Sequence, residues 1–314
     1  MFYDLNIALP ESAGKANGSM SSQEWAQVVR AVEQARDLGY GMVALNQTVQ
    51  GRLTAEHLAV WKTVPAIDGA QLSWNPATGK RVVGQGGSGS GSVAAVKRGS
   101  VRVLRRVTAV IREADQGHSV SGTPVSNEYD VVAVRPTSEK LLFAASSGAW
   151  GGVDMVALDM AARWGFFAKH KTVGQALALG LAFEVAYGGA LGDSAQRQQW
   201  VSNVAAMVRV TRGKGLVWAS GARQAFELRS PNDVTVLGEA VQLNAALAKR
   251  AVSANARAVV VHSFTRTQTL RAVVAEVDQP GSDQARSDQA RSDQAAAAGS
   301  DQGGEAARKR QRVA

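Results

Sequence analysis

Apolar residues along this chain follow two alternating rhythms. FYDLNI (2–7) and YGMVALN (40–46) are short runs with few breaks, the signature of strands buried on both faces. Between them SSQEWAQVVRAVEQARDLG has a serine start, apolar residues at helical spacing, and Gly39 as a stop, which predicts a helix. The same pairing recurs. VRVLRRVTAVI (101–111), YDVVAVRP (129–136), VDMVALDM (153–160), LAFEVAYG (181–188) and GLVWASGA (215–222) read as further strands, and ARAVVVHS (256–263) as a candidate eighth. DSAQRQQWVSNVAAMVRVTRG (193–213) predicts a long amphipathic helix, and SPNDVTVLGEAVQL (230–243) another, opened by a proline whose missing N–H costs nothing there. Repeated β-then-α units with apolar strands imply an α/β fold with a parallel sheet covered on both faces. Seven or eight such units favour a closed barrel over an open doubly wound sheet.

Two segments break the rhythm. The polar stretch from roughly 66 to 100, centred on GQGGSGSGS (84–92), is expected to be a flexible insert. From 281 the chain repeats SDQAR, SDQAR, SDQAA and ends in RKRQRVA, a composition expected to stay disordered. The expected organisation is therefore one folded domain over 1–280 and a low-complexity tail over 281–314.

Charge sharpens this picture. The net charge is +9. The tail holds six basic and five acidic residues, so it contributes +1 and leaves +8 on residues 1–280. A basic folded body points to a polyanionic partner, nucleic acid above all. The chain has no cysteine, which removes disulfides and thiolate chemistry. It shows no secretory leader and no apolar run near the roughly 18–20 residues of a membrane span, so it reads as a soluble intracellular protein.

Catalytic motifs fail on spacing. Gly84, Gly86 and Gly89 match G-x-G-x-x-G, but a Gly/Ser linker follows where a helix should open. Lys214 lies in GKG, yet a P-loop needs Ser or Thr at 215, which is Gly. Ser220 lacks the glycine two residues before it that a nucleophile elbow requires, since residue 218 is Trp; small residues there fit tight packing better. No two of His57, His118, His170 and His262 have metal-ligand spacing. Asp4, Asp159, Glu184 and His262 could meet at a barrel rim, although each also reads as a single polar group ending a strand. No metal or cofactor is therefore expected on this chain. The remaining candidates are basic residues near strand ends: Arg105, Arg106, Arg135, Lys140, Arg209, Arg212, Lys214, Arg223, Arg229 and Arg266. In a barrel most of those that follow strands would gather toward one rim, where they could contact phosphates.

YDVVAVRPTSEKL, GLAFEVAYGGALGDSAQRQQ, GKGLVWASGARQAFELRSPNDVTVLG and AVSANARAVVVH, in this order, resemble the thirty-kilodalton TIM-barrel protein subunit of ribonuclease P. FYDLNI and LGYGMVALN fit as well, so the resemblance covers most of 2–268. It implies a TIM-like barrel related to the polymerase-and-histidinol-phosphatase phosphoesterases but lacking their histidine ligands. It further implies a non-catalytic subunit of nuclear ribonuclease P, and of RNase MRP, that supports a catalytic RNA removing the 5′ leader of precursor tRNA. The Mg²⁺ of that reaction would belong to the RNA. The implied partners are the catalytic RNA, a small ferredoxin-like subunit and, indirectly, precursor tRNA, with no membrane. Arg308, Lys309, Arg310 and Arg312 would serve nuclear or nucleolar localisation. A metal-dependent phosphoesterase and a pure protein-interaction scaffold stand as the rival readings.

Overall fold

In the computed structural model, which describes residues 1–78 and 99–268, the short apolar runs become strands of one parallel sheet. In chain order the elements begin with β1 (Phe2–Ala8), α1 (Ser22–Asp37), β2 (Tyr40–Gln50), β3 (Ala70–Leu72) and β4 (Val101–Ile111). Two single-turn helices follow, α2 (Ala114–Gly117) and α3 (Pro124–Asn127), then β5 (Val131–Pro136), α4 (Glu139–Ser146), β6 (Met155–Val156) and α5 (His170–Ala178). The last part comprises β7 (Ala182–Ala186), α6 (Ser194–Thr211), β8 (Leu216–Ala219), α7 (Pro231–Ala240), α8 (Ala245–Ala251) and α9 (Ala254–Gln268). Helix starts follow local chemistry. Ser21 accepts the Glu24 amide while the Glu24 carboxylate accepts the Ser21 amide, a reciprocal cap on α1. Ser230 and Asp233 repeat this cap on α7, with Pro231 in the first turn.

Hydrogen-bonded neighbours run β1-β2-β4-β5-β6-β7-β8. An isolated parallel bridge, Ile7 to Ala222, joins the ends, supported by Ala8 N–H to Ala222 O (2.8 Å) and Gly221 N–H to Asn6 O (2.9 Å). The result is a TIM-like barrel of seven strands. The sixth strand shrinks from the expected 153–160 to Met155–Val156. Bonds from Asp154 N–H to Val132 O and Ala157 N–H to Val134 O extend its pairing on both sides.

Alternation divides each strand between two cores. Leu5, Met42, Ala44, Leu104, Ala133, Met155, Ala182 and Val217 fill the barrel, whereas Val43, Leu45, Val103, Val107, Val132, Val134, Phe183 and Trp218 pack against the surrounding helices. The inner core also contains Ala256, Val259 and Val260 of α9.

That last observation corrects the expected eighth strand. Residues 256–263 are helical, with Ala256, Val259, Val260 and Ser263 buried at helical spacing while Arg257, Ala258 and Val261 are exposed. The β preference of three successive valines yields because β1 already pairs with the segment after β8, which leaves no edge to join. The expected flexible insert is corrected at its start as well. β3 pairs with β4 at Ala70–Leu72, and Ile67, Ser73 and Trp74 are buried. Trp74 packs edge-on to Trp61 at 5.4 Å and donates to its carbonyl (3.1 Å). The Gly/Ser centre of the insert, the tail and its basic terminus lie outside the described residues.

Candidate functional site

The middle of a β/α barrel, just inside the C-terminal ends of its strands, is where such folds place catalytic groups. Here five of the seven strands turn polar near that level: Leu5 gives way to Asn6, Ala44 to Asn46, Leu104 to Arg106, Ala133 to Arg135 and Ala182 to Glu184. Arg106 reaches across the interior. Its Nη1 and Nη2 donate to Glu184 Oε1 (2.5 Å) and Oε2 (2.6 Å), and Nη1 also to the Leu5 carbonyl (2.7 Å). Nη2 donates to Thr108 Oγ1 (3.1 Å), Thr108 Oγ1 to Asn46 Oδ1 (2.8 Å), and Asn46 Nδ2 to Asn6 Oδ1 (2.8 Å). Arg106 and Thr108 are wholly buried and the other members nearly so. A two-pronged guanidinium–carboxylate pair is the strongest form of this contact, and the hydroxyl and amides extend it. The network uses the barrel centre for its own hydrogen bonds. Both Glu184 carboxylate oxygens accept from Arg106.

Ser220 belongs to the seam. Its amide donates to Asp4 Oδ1 (3.0 Å), its hydroxyl donates to Asn6 O (2.9 Å), and it accepts the Ala222 amide (3.0 Å). Gly221 turns here at φ +63°, and an added Cβ would sit 3.2 Å from Ala186 Cβ, so glycine is the residue that fits. Ser220 holds the two barrel edges together, as its small neighbours suggested. Asp4 beside it is buried, and desolvation pushes its carboxyl above the usual range, only partly offset by the Ser220 and Asn6 amides.

The remaining candidate cations separate by topology, because chain after a strand and chain before a strand open at opposite ends. Arg135 ends β5, exposed Lys140 begins α4, and exposed Arg223 and half-buried Arg229 follow β8; these lie at the C-terminal rim. Arg209, Arg212 and Lys214, all exposed, close α6 and enter β8 from the N-terminal rim. Most of the candidates that follow strands thus share the C-terminal rim, and those that precede β8 form a second basic group at the other end. Some of these cations have structural duties. Arg135 Nε donates to Ala157 O (3.0 Å), and Arg229 Nη1 to Phe226 O (2.7 Å) and Leu228 O (3.0 Å).

Three candidates are corrected outright as contacts for RNA. Arg105 and Arg106 are fully buried. As adjacent residues of one strand they face opposite sides, so Arg105 lies in the outer core, 5.5 Å over the Trp74 ring and 3.6 Å from Glu128. Arg266 closes the N-terminal end of the barrel, because α9 lies across that end. Its Nη2 donates to Asp154 Oδ2 (3.1 Å) and Tyr129 O (3.2 Å), while His262 Nδ1 lies 2.8 Å from Asp154 Oδ1.

The four groups named for a metal do not meet. Asp4 faces Ser220, Glu184 faces Arg106, Asp159 is exposed after β6, and His262 is at the opposite end. Among the described residues no group of three His, Cys, Asp or Glu side chains is placed to hold a metal ion. No helix among them is long and apolar enough to cross a membrane.

Sequence reasoning missed several exposed residues at the C-terminal rim. Arg163 and Phe167 lie between β6 and α5, Lys171 opens α5, and Phe226 lies in the 3-10 turn Ala225–Glu227. Their signal was the run RWGFFAKHK (163–171), aromatic and basic together, in a stretch from 160 to 183 that contains no acidic residue.

Comparison with known proteins places these features in a family. The family model described as RNase P subunit p30 matches residues 1–268. An Arabidopsis thaliana protein, GAMETOPHYTE DEFECTIVE 1, is 31% identical over 82% of this chain, which spans 43% of the plant protein's length. Ribonuclease P protein subunit p30 of Mus musculus is 29% identical over 79% of this chain and 85% of its own. In fold, the chain is similar to one in a cryo-EM structure of archaeal ribonuclease P with mature tRNA (TM-score 0.58, 13% identity, 88% of this chain and 99% of that one). With a match that runs from the first strand to the end of α9, this chain belongs to the RNase P subunit p30 family.

Proposed function

We propose that this chain is a non-catalytic protein subunit of ribonuclease P that binds and supports the catalytic RNA during removal of the 5′ leader from precursor tRNA. Family membership supports the assignment to the complex, and the Arg106–Glu184 network carries the non-catalytic part. A barrel whose centre is closed by its own ion pair keeps its exposed cations at the rims, where they neutralise phosphates without acting on them. Neutralising phosphates lowers the Mg²⁺ that the RNA needs for its own fold and chemistry. The same reading extends to RNase MRP, to a small ferredoxin-like protein partner, and to a nuclear, specifically nucleolar, site of action guided by Arg308, Lys309, Arg310 and Arg312.

The test is reconstitution. Catalytic RNA assembled with this chain and its protein partner is expected to cleave leaders at Mg²⁺ concentrations where RNA without the chain is slow. Equal rates with and without it would remove the proposal. The phosphoesterase alternative predicts hydrolysis of phosphate esters by the purified, RNA-free chain.

A further inference from the structure

The loop between β6 and α5 has an unusual combination of a fixed backbone and an uncovered ring. Asn203 of α6 donates through Nδ2 to the carbonyls of Met160 (2.9 Å) and Ala162 (2.8 Å). Asp159 Oδ1 accepts the Ala161 amide (3.1 Å), and the Asp159 carbonyl accepts Trp164 Nε1 (2.7 Å). Trp164 and Phe166 pack against the core and stack on each other, with centroids 6.1 Å apart and planes within 10°. Phe167, next along this anchored loop, is 87% exposed. A large apolar side chain held out on a fixed loop, beside a stacked aromatic pair, is a binding feature rather than a stray surface residue.

The surrounding charge selects the partner. Arg163, His170 and Lys171 are exposed, and Lys169 pairs with Glu139 at 2.6 Å beside exposed Lys140. Residues 160–183 supply no carboxylate. An aromatic face ringed by cations suits a base joined to phosphates. A ring that projects from a loop reaches a base face only where the base is unstacked, so the fit is to single-stranded RNA rather than to a duplex.

We infer that Phe167 is a stacking platform for an unpaired RNA base, with Arg163 and Lys171 taking the flanking phosphates. This rests on the reading of the chain as an RNA-binding subunit and names the kind of RNA that one of its loops binds.

The probe is a fluorescein-labelled single-stranded RNA of about twelve nucleotides, with a duplex of equal length as control, titrated with the full chain over a salt series. Phe167→Ala is expected to weaken single-strand binding roughly 5- to 150-fold, the range for removal of one base–aromatic stack, and to leave the salt slope and duplex affinity unchanged. Phe167→Trp should restore binding. The Arg163→Gln/Lys171→Gln double variant should instead flatten the slope by roughly 0.7 for each phosphate left without its cation. Because Phe167 is exposed, thermal melting of all variants should match that of the parent chain. If Phe167→Ala binds the single strand as tightly as the parent while binding stays salt-dependent, the stacking inference fails and the RNA-subunit reading survives. If the parent shows no salt-dependent binding to either RNA, both fail. If Phe167→Ala impairs only the binding of a protein partner, the ring is a protein contact and the inference is overturned.

Discussion

Asp4 shows how one residue can tie the fold to solution conditions. Its carboxyl is buried at the seam, and burial raises its pKa above the value near 3.9 that it has in an unfolded chain. The folded state therefore keeps a proton that the unfolded state releases. The stabilisation is complete below about pH 3.9 and is lost as pH rises toward the folded value, by up to about 1.4 kcal/mol per pH unit. Asp4→Asn presents a neutral side chain at every pH, and its Oδ1 can still accept the Ser220 and Asn6 amides. Urea unfolding at a series of pH values should show the parent losing stability relative to the variant as the pH rises above about 4. Parallel curves would refute this account. Nothing in FYDLNI marked Asp4 as a seam residue, since its neighbour Ser220 is 216 positions away. Arg105 and Arg106 carried more of a signal. Two adjacent arginines inside an eleven-residue buried strand cannot both reach solvent, because alternate side chains enter opposite cores.

At the scale of elements, strand and helix positions were largely written in apolar period, and what escaped was set by topology. The segment 256–263 carries both a β-branched run and a helical face. Its helical outcome depends on whether a barrel edge is free, which no local window records. Trp74 was hidden in the same way, inside a stretch whose later part is Gly/Ser-rich. α9 is the element most exposed to a single change, because Asp154 receives Arg266, His262 and the Val132 amide at once. Arg266→Ala removes charge-assisted bonds from a buried carboxylate and should cost about 1.5–3 kcal/mol. Hydrogen exchange should then accelerate in α9, with the amides of β2 and β4 changing less. A uniform acceleration throughout the barrel would show that α9 does not open on its own.

At the scale of the whole molecule, the candidate cations among the described residues divide between two rims, and the two groups can be tested separately. Lys140, Arg163, Lys171 and Arg223 are exposed around the C-terminal rim, whereas Arg209, Arg212 and Lys214 occupy the N-terminal one. Replacing the first set by glutamine should reduce the salt slope of RNA binding by roughly 0.7–0.9 per phosphate contact, and replacing the second should leave it nearly unchanged. A larger effect from the second set would move the RNA to the other end. The order of cation and strand along the sequence already carried this division, once the strands were read as parallel. Strand direction, not charge, decides which rim an arginine occupies.

The pair of Arg106 and Glu184 has a further consequence. A catalytic barrel must keep its hollow and its loops matched to one another, so a change in either is constrained by the chemistry of both. This barrel fills its hollow with Arg106 of β4, and in the non-catalytic role proposed above its loops are released from that constraint. They can lengthen, shorten or exchange residues to follow a changing RNA while the staves beneath them stay in register.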